Sequence, residues 1–478
     1  MNLKEKVRAL FENKRVAVIG IGVSNIPLIR FLLDAGAHIT ARDIKPLESL
    51  SPEVSHLCES RGLSVICGEG YLCELDEDII FRSPGLRPDA PEIVDAVSKG
   101  AVLTSEMELF FDLTPARIVA ITGSDGKTTT TTLTHLLVKK LLEARGEGGL
   151  CYVGGNIGTP LLPMVYEMTK DDIAVVELSS FQLQTMKRSA EIAVITNITP
   201  NHLNWHTDME EYTQAKKNVY LHKNNTRLVA NLSNDITRSI LASEIEGVKK
   251  IGFTLEEKSC EFTDGIIYLD SGNVILSEGV CETVLLDTAN IRLPGRHNIE
   301  NYMAAAAAVY GLGFDEDTFV AVLRETAQTF AGVEHRLEFV RNLDGVDYYN
   351  SSIDSSPTRT AAALRCFEDK SVVICGGYDK HIPFEPLAEV LIEKAKAVVL
   401  CGATSEAIYK AISEHADFDS QSLCVVREAD FESAVVRARA LACEGDRVIL
   451  SPACASFDMF ANFEARGKKF KEIVKSLR

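Results

Sequence analysis

One stretch, IVAITGSDGKTTTTT, constrains the fold of this chain more than any other. A β-branched run, Ile118 to Ile121, is followed by a turn that contains Gly123 and Gly126. Lys127 and five consecutive threonines come next and lead into a leucine-rich segment. The pattern predicts a strand, a glycine loop and a helix in direct succession.

A glycine loop that opens a helix is suited to binding phosphate. The glycines let backbone N–H groups point at one spot, and the start of the helix adds partial positive charge. Lys127 can reach further phosphate oxygens, and Thr128 would place its hydroxyl on magnesium. The general phosphate-loop pattern requires glycine where this chain has Ile121, so only the narrower Thr-Gly-x-x-Gly-Lys-Thr pattern fits. A tight turn with an incidental lysine is the alternative interpretation.

Length and composition limit the classes of protein to consider. A chain of 478 residues is too long for one hydrophobic core, and we expect three domains. The net charge of -18 argues against a nucleic-acid partner. The twelve cysteines include no C-x-x-C pair, which favours reduced core residues over a zinc or redox site. No apolar run fits a signal peptide or a membrane span, so we expect a cytoplasmic protein without a membrane partner.

The N-terminal segment from Arg15 to Asp43 predicts the first half of a dinucleotide-type βαβ unit. Its glycine turn contains the candidate ligand-binding residues Gly22, Val23, Ser24 and Asn25. Asn25 replaces the third glycine of the fingerprint, which favours a nucleotide other than NAD and leaves an NAD-dependent oxidoreductase as the weaker alternative. Asp43 has two open interpretations, a contact to ribose or uracil and a surface acid after a strand. Ser83, Pro84 and Gly85 form a second loop suited to contacting a ligand.

The central segment adds a carboxylate to the phosphate loop. Glu177 ends a buried strand where open parallel sheets place ligands, and it suits magnesium beside phosphates; an acid that caps the next segment is the alternative. Asn156 lies in another glycine-rich turn. His202 and His206 have the spacing of zinc proteases, but Leu203 stands where that motif requires glutamate, so we reject zinc.

A third alternation of strands and helices follows Gly332. Its polar residues are concentrated in loops, which is where such a domain binds ligands. Asn301 lies earlier, at the start of a strongly helical run, where polar side chains can cap the helix or bind an anion or base.

Seven motifs in order across nearly the whole chain resemble the Mur ligase family of peptidoglycan precursor synthesis. They are TGSDGKTTT, ELSSFQL, TNITPNHL, GRHNIEN, GVEHRLE, GGYDK and SPACASFDMF. The resemblance implies an α/β protein with three domains. These are an N-terminal Rossmann-like domain for the UDP substrate (1–105), a central P-loop ATPase-like domain with a parallel sheet (106–332) and a C-terminal Rossmann-like domain for the amino acid (333–478).

The resemblance also implies a reaction and its ligands. ATP cleavage would activate a carboxylate of UDP-N-acetylmuramoyl-L-alanine as an acyl phosphate, which D-glutamate attacks to give a tetrahedral intermediate. ATP and two magnesium ions would be the cofactors, and we expect a monomer. Alternatives are a sister ligase with another acceptor and a non-catalytic nucleotide-binding regulator.

Site residues carry over by motif. The implied ATP contacts are Gly123, Ser124, Asp125, Gly126, Lys127, Thr128, Thr129, Asn156, Asn301 and Arg336. The implied magnesium ligands are Thr128, Glu177, His202 and Lys216. The implied UDP-substrate contacts are Gly22, Val23, Ser24, Asn25, Ser83, Pro84 and Gly85, and Asp43 is added as a candidate from its place at the end of a strand. The implied D-glutamate pocket consists of Ser355, Lys380, Ser456 and Phe463. Lys127, Glu177, His202 and Lys216 would be catalytic.

Three positions raise specific questions. Lys216 matches a lysine that is carbamylated in this family. Its neighbour Lys217 is also a lysine, so the assignment depends on the register of the motif alone, and the alternative is that Lys216 is a solvated surface lysine. Ser351 stands where the family more often has aspartate, and Ile353 where it more often has lysine. Loss of that lysine leaves open how the second carboxylate of the amino acid is neutralised.

Overall fold

The computed structural model describes residues 2–22, 24–146, 148–256, 258, 262–380 and 382–478. Within these ranges the chain is an α/β protein with three sheets. The chain forms two compact units, Met1–Asn290 with Ile299–Thr326 and Ile291–Asn298 with Ala327–Arg478. The predicted α/β class is confirmed, and the predicted boundaries at 105 and 332 remain a prediction.

The first sheet of the larger unit is parallel throughout, with strand order β3-β2-β1-β4-β5. Its strands are β1 (Arg15–Ile19), β2 (His38–Asp43), β3 (Ser64–Cys67), β4 (Ile79–Arg82) and β5 (Val102–Thr104). The helices of this segment are α1 (Leu3–Phe11), α2 (Asn25–Asp34), α3 (Pro52–Arg61), α4 (Pro91–Ser98) and α5 (Glu106–Leu113). The order reverses at β1, so the loops after β1 and β4 meet at a topological switch point, where such sheets bind ligands.

The second sheet of this unit has the order β14-β13-β12-β11-β10-β9-β6-β8-β7. Its strands are β6 (Arg117–Thr122), β7 (Cys151–Gly155), β8 (Ile173–Glu177), β9 (Ile192–Ile195), β10 (Arg227–Asn231), β11 (Lys249–Thr254), β12 (Gly265–Asp270), β13 (Asn273–Glu278) and β14 (Cys281–Asp287). The helices are α6 (Lys127–Arg145), α7 (Ser180–Leu183), α8 (Met209–Lys217) and α9 (Asp235–Ala242), and most of α10 (Arg296–Tyr310) and α11 (Glu316–Thr329) also belongs to this unit. Strands β8 and β9 are buried at every position, as near-continuous apolar runs in a covered parallel sheet must be.

The far end of this sheet is antiparallel, because β12, β13 and β14 pair as successive hairpins. Two backbone carbonyls of the edge strand β14 accept hydrogen bonds from a helix. Arg324 of α11 donates from Nε to the carbonyl of Leu285 at 2.9 Å and from Nη2 to that of Val284 at 2.6 Å. A helix side chain therefore satisfies carbonyls that a further strand would otherwise bind.

The smaller unit contains a sheet with order β15-β16-β20-β17-β18-β19, antiparallel only between β15 and β16. Its strands are β15 (Glu338–Leu343), β16 (Val346–Asn350), β17 (Ser371–Cys375), β18 (Ala395–Leu400), β19 (Cys424–Arg427) and β20 (Arg447–Leu450). Its helices are α12 (Pro357–Leu364), α13 (Glu385–Lys394), α14 (Ser405–Ser413), α15 (Phe431–Leu441) and α16 (Phe463–Ser476).

The cysteines of the described residues are all free. Cys375, Cys401 and Cys454 are buried, as predicted for core residues. Cys73, Cys281, Cys424 and Cys443 are exposed, so the prediction that the cysteines are core residues is wrong for these four. Within the described ranges, each helix is too short or too polar to cross a bilayer.

Candidate active site

The predicted strand, glycine loop and helix are present as β6, residues 123–126 and α6. Gly123 and Gly126 have φ angles of 151° and 80°, in the region that favours glycine. A Cβ on Gly123 would overlap the Thr196 hydroxyl, and one on Gly126 would overlap the amide oxygen of Asn301. The loop therefore requires glycine at both positions for conformation and for space.

The ammonium of Lys127 lies over this loop. Nζ donates to the carbonyls of Gly123 at 3.0 Å and Ser124 at 2.9 Å. Thr128 is half-buried in the first turn of α6, next to buried Thr129. The first turn thus places a cation and a hydroxyl beside the backbone N–H groups at the N-terminus of the helix. This arrangement is suited to binding an anionic phosphate chain.

Asn301 of α10 lies against the same loop although it is distant in sequence. Its side-chain oxygen accepts a hydrogen bond of 3.2 Å from the Thr130 hydroxyl. Ser124 is held from another direction, because its hydroxyl bonds the carbonyl of Thr199 and the hydroxyl of Tyr212, each at 2.9 Å. Asp125 is exposed at the tip of the loop.

Glu177 ends β8 with its carboxylate almost completely buried, at 1% exposure. Oε1 accepts from Asn156 Nδ2 at 2.8 Å, and the Asn156 backbone N–H donates to the Glu177 carbonyl at 2.8 Å. Oε2 is buried and has no hydrogen-bond partner among the described residues. A buried, unpaired carboxylate oxygen is costly unless a cation binds it, so this residue fits a magnesium ligand.

Lys216 is buried at 1% exposure, whereas Lys217 is only half-buried. The Lys216 ammonium donates to the carbonyl of Gly123 at 2.7 Å and lies 4.6 Å from the ring centroid of Tyr212. Burial, and secondarily Lys127, lowers its pKa well below the ordinary value, against the opposing effect of Asp125 and Glu177. The interpretation of Lys216 as a solvated surface lysine is therefore wrong.

His202 has a positive φ of 56° and lies in a cluster of aromatic rings. Its ring centroid is 4.8 Å from that of Phe181. Partial burial lowers the pKa of His202, and the charges of Lys127 and Lys216 lower it further. The phosphate loop, Lys127, Lys216, Glu177 and His202 therefore form one electrostatic neighbourhood. Among the described residues, however, no three His, Cys, Asp or Glu side chains form a ready-made metal cluster.

The N-terminal loops meet as the topology requires. A Cβ on Gly20 would lie 2.7 Å from the Ser83 hydroxyl oxygen, and the Ser83 N–H donates to the Ile19 carbonyl at 3.0 Å. Asn25 is buried, and its Nδ2 donates to the Gly20 carbonyl at 2.7 Å. The residue in place of the third glycine therefore forms a hydrogen bond across the turn. Gly22 has open space around its Cβ position, and Ser24 is exposed. Val23 lies outside the described residues.

Asp43 is buried at the end of β2, so of its two interpretations that of a surface acid is wrong, and the ligand contact stays a prediction. Its Oδ2 accepts from the Ile21 N–H at 2.6 Å and its Oδ1 from the Lys45 N–H at 2.9 Å. This carboxylate therefore fixes the glycine turn after β1, and a ligand contact would have to share its oxygens.

Arg82 is a residue at the candidate site that the sequence prediction missed. It is 2% exposed, and its guanidinium donates to the carbonyls of Ser83 and Pro84, each at 3.2 Å, and to that of Leu86. Its Nη2 also reaches the Phe181 carbonyl of α7 at 2.8 Å. One buried side chain thus connects the Ser83–Leu86 loop to the segment that follows Glu177.

In the smaller unit, Lys380 donates to the Ser355 carbonyl at 3.3 Å. Ser456 is buried, and Phe463 begins α16 with its ring edge-on to His335 at 6.0 Å. Arg336 lies near Asp354. Burial raises the pKa of Asp354, and the charges of Arg336 and Arg359 oppose this rise.

Arg466 was also missed. It is fully buried in α16 and donates to Ser352 Oγ at 3.0 Å and to the Ser352 carbonyl at 2.9 Å. It also binds the carbonyls of Cys454 and Ala455, each at 3.1 Å. Arg466 therefore holds together the two loops that contain the candidate residues Ser355 and Ser456.

Comparison with known proteins connects this geometry to a family. The description Mur ligase middle domain matches residues 121–309, and Mur ligase, glutamate ligase domain, matches residues 335–454. The UDP-N-acetylmuramoylalanine--D-glutamate ligase of Clostridium novyi (strain NT) is 47% identical over 467 residues, which is 97% of each chain. The ligase of the same description from Ruminiclostridium cellulolyticum is 46% identical and is matched over 100% of both chains.

Solved structures agree at the level of the fold. A UDP-N-acetylmuramoyl-L-alanyl-D-glutamate--2,6-diaminopimelate ligase aligns with a TM-score of 0.56 at 18% identity, covering 84% of this chain and 93% of that one. A pseudomurein peptide ligase type C from Methanothermus fervidus aligns at 0.52 and 18%, covering 98% and 100%. With two family domains over most of its length and full-length relatives above 30% identity, the chain belongs to the Mur ligase family.

Proposed function

We propose that this chain is an ATP-dependent ligase that adds D-glutamate to UDP-N-acetylmuramoyl-L-alanine in peptidoglycan precursor synthesis. The observation that carries the proposal is the phosphate loop with a buried Glu177 oxygen that has no partner among the described residues. The descriptions of the full-length relatives support the choice of D-glutamate.

A carboxylate is a poor electrophile, so the reaction needs its oxygen to take the γ-phosphoryl group before the amine attacks. The loop N–H groups and Lys127 bind and orient the phosphate chain. Asn156 holds Glu177 in position, and this carboxylate, with Thr128, His202 and modified Lys216, would hold two magnesium ions. Magnesium, when bound, would neutralise charge on the phosphoryl oxygens during transfer.

We further propose that Lys216 is carbamylated. Its lowered pKa favours the neutral amine, whose nitrogen can attack carbon dioxide and lose one proton to give a carbamate anion. The change replaces a buried cation with an oxygen ligand of the kind that magnesium prefers.

Lys216→Ala should lower kcat by about 100-fold or more, as expected for loss of a charged group at the phosphoryl site. Lys217→Ala is the matched control and should stay near wild type. Small carboxylic acids added to Lys216→Ala should partly restore turnover by supplying the missing oxygens. Near-normal activity of Lys216→Ala would refute this part of the proposal.

We infer the remaining assignments from the family. The sheets β1–β5, β6–β14 and β15–β20 would be the Rossmann-like UDP domain, the P-loop ATPase-like domain and the Rossmann-like acceptor domain, in a monomeric cytoplasmic enzyme.

A sister ligase with another acceptor is the second candidate, and Ser351 and Ile353 are the observation that favours it. Phosphate release with UDP-N-acetylmuramoyl-L-alanine and a panel of D- and L-amino acids separates the two. Release with D-glutamate alone supports the first proposal, whereas release with a different amino acid supports the second. No release with any acceptor would favour a non-catalytic nucleotide-binding protein.

A further inference from the structure

The tight turn Ile353–Ser355 of the smaller unit binds two cationic side chains from separate elements. The Ser355 N–H donates to the Ile353 carbonyl at 2.8 Å, which closes the turn. Arg359, in the first turn of α12, donates from Nη1 to the same carbonyl at 3.2 Å. Lys380, in the loop after β17, donates to the Ser355 carbonyl at 3.3 Å. Arg359 and Lys380 therefore converge on one short segment.

Both side chains are exposed, and neither forms an ion pair within the part of the chain that the structure describes. The charge of Arg359 acts on Asp354, but this carboxyl is buried and accepts a 2.8 Å hydrogen bond from the Ser451 hydroxyl. The turn thus presents two positive charges to solvent with one buried acid behind them.

This arrangement fits a small dianion. Carbonyls two residues apart keep the two cationic groups within roughly 12 Å of each other, a span that the two carboxylates of glutamate can bridge with one hydrogen bond at each end. Nη1 of Arg359 is directed to the backbone, so the rest of the planar guanidinium remains for a carboxylate. Lys380 supplies a point charge for the other carboxylate.

We infer that Arg359 is a specificity-determining residue of the acceptor site and that it binds one carboxylate of D-glutamate while Lys380 binds the other. The inference rests on the proposed function. It also answers the question raised by Ile353, because the positive charge absent at position 353 is supplied from α12 to the backbone of that same residue. The site would select dicarboxylic over monocarboxylic amino acids.

The experiment compares wild type, Arg359→Ala, Arg359→Gln and the control Arg365→Ala in a phosphate-release assay. Arg365 is exposed at the C-terminal end of the same helix. Loss of one charge-assisted hydrogen-bonded contact should raise KM for D-glutamate by about 10- to 100-fold in both Arg359 variants. KM for ATP and for the UDP substrate should stay within about twofold, and Arg365→Ala should match wild type.

The two mono-amides of D-glutamate provide a second readout that a purely structural role would not change. Wild type should prefer D-glutamate to both amides, and Arg359→Gln should lose its preference against only the amide that lacks the carboxylate bound by Arg359. Introducing Ile353→Lys into Arg359→Ala should restore part of the affinity.

The outcomes separate this inference from the proposed function. If wild type releases no phosphate with D-glutamate, the proposed function fails. If wild type is active but Arg359 variants keep the wild-type KM and the same preference over both amides, the inference about Arg359 fails alone. An equal rise in all three KM values would assign Arg359 a structural role and would also overturn it.

Discussion

Arg82 provides a direct test of how a buried cation supports the N-terminal loop. Replacing it with methionine keeps the approximate volume and removes every hydrogen bond from the guanidinium to the Ser83–Leu86 loop and to the Phe181 carbonyl. A bond of 3.3 Å to the Thr185 hydroxyl is lost as well. The variant therefore separates the cost of burying the charge from the benefit of holding the loop.

Two terms of similar size oppose each other. Burial lowers the pKa of Arg82 to about 10. Each pKa unit corresponds to about 1.4 kcal/mol, so the decrease from the pKa of an arginine in water gives a desolvation cost of about 3 kcal/mol for the charge. Four carbonyls that lose their donor would cost about 1 kcal/mol each at such part-buried positions. The free energy of unfolding of Arg82→Met should therefore fall by only about 1–2 kcal/mol.

Arg82→Met should affect binding of the UDP substrate more strongly than it affects stability, because the Ser83–Leu86 loop at the switch point loses its hydrogen bonds. We expect KM for this substrate to rise about tenfold or more, while KM for D-glutamate changes little. Urea unfolding and steady-state kinetics provide the measurements. Arg61→Met is the control, since Arg61 forms an exposed pair with Asp34 at 2.8 Å whose loss should cost less than about 1 kcal/mol. A stability loss above about 4 kcal/mol with unchanged KM for the UDP substrate would refute the reasoning.

Three further predictions concern the larger unit. Burial raises the pKa of Glu106 to about 7, so the folded state binds the proton of this carboxyl more tightly than the unfolded chain does. The stability that this proton contributes is therefore lost as pH rises from about 4.3 through 7. Glu106→Gln should raise Tm at pH 8 and leave it nearly unchanged at pH 4, as measured by calorimetry; an equal shift at both values would contradict this. Gly123→Ala should weaken binding of an ATP analogue by more than about tenfold in titration calorimetry, because its Cβ would overlap the Thr196 hydroxyl; unchanged affinity would disprove the steric argument. Glu177→Gln should raise the magnesium concentration at which an ATP analogue binds in titration calorimetry, with little change in Tm; an unaltered magnesium titration would argue against a ligand role.

Local signals indicated the parts of the candidate site that lie next to one another in sequence. The glycine loop and Lys127 follow from a strand, a turn and a helix in succession, and Glu177 follows from its place at a strand end. Asn301 required the resemblance, because no local pattern indicates that the start of α10 packs against the loop before α6.

Buried arginines were beyond what a single sequence indicates. Charged residues are almost always exposed unless paired, so neither Arg82 nor Arg466 would be placed in a core from composition. Their pairing with backbone carbonyls exists only after distant loops have come together. The choice between Lys216 and Lys217 likewise depends on helix register, which the fold fixed by burying Lys216 against the Gly123 carbonyl.

The contact between Arg324 and edge strand β14 bears on polymerisation. An antiparallel edge with unpaired carbonyls can recruit a strand from a second molecule and extend into a fibre. Here a newcomer strand would first have to displace a guanidinium from the Val284 and Leu285 carbonyls. The guanidinium supplied by α11 therefore opposes growth of the nine-stranded sheet from one molecule to the next at this edge.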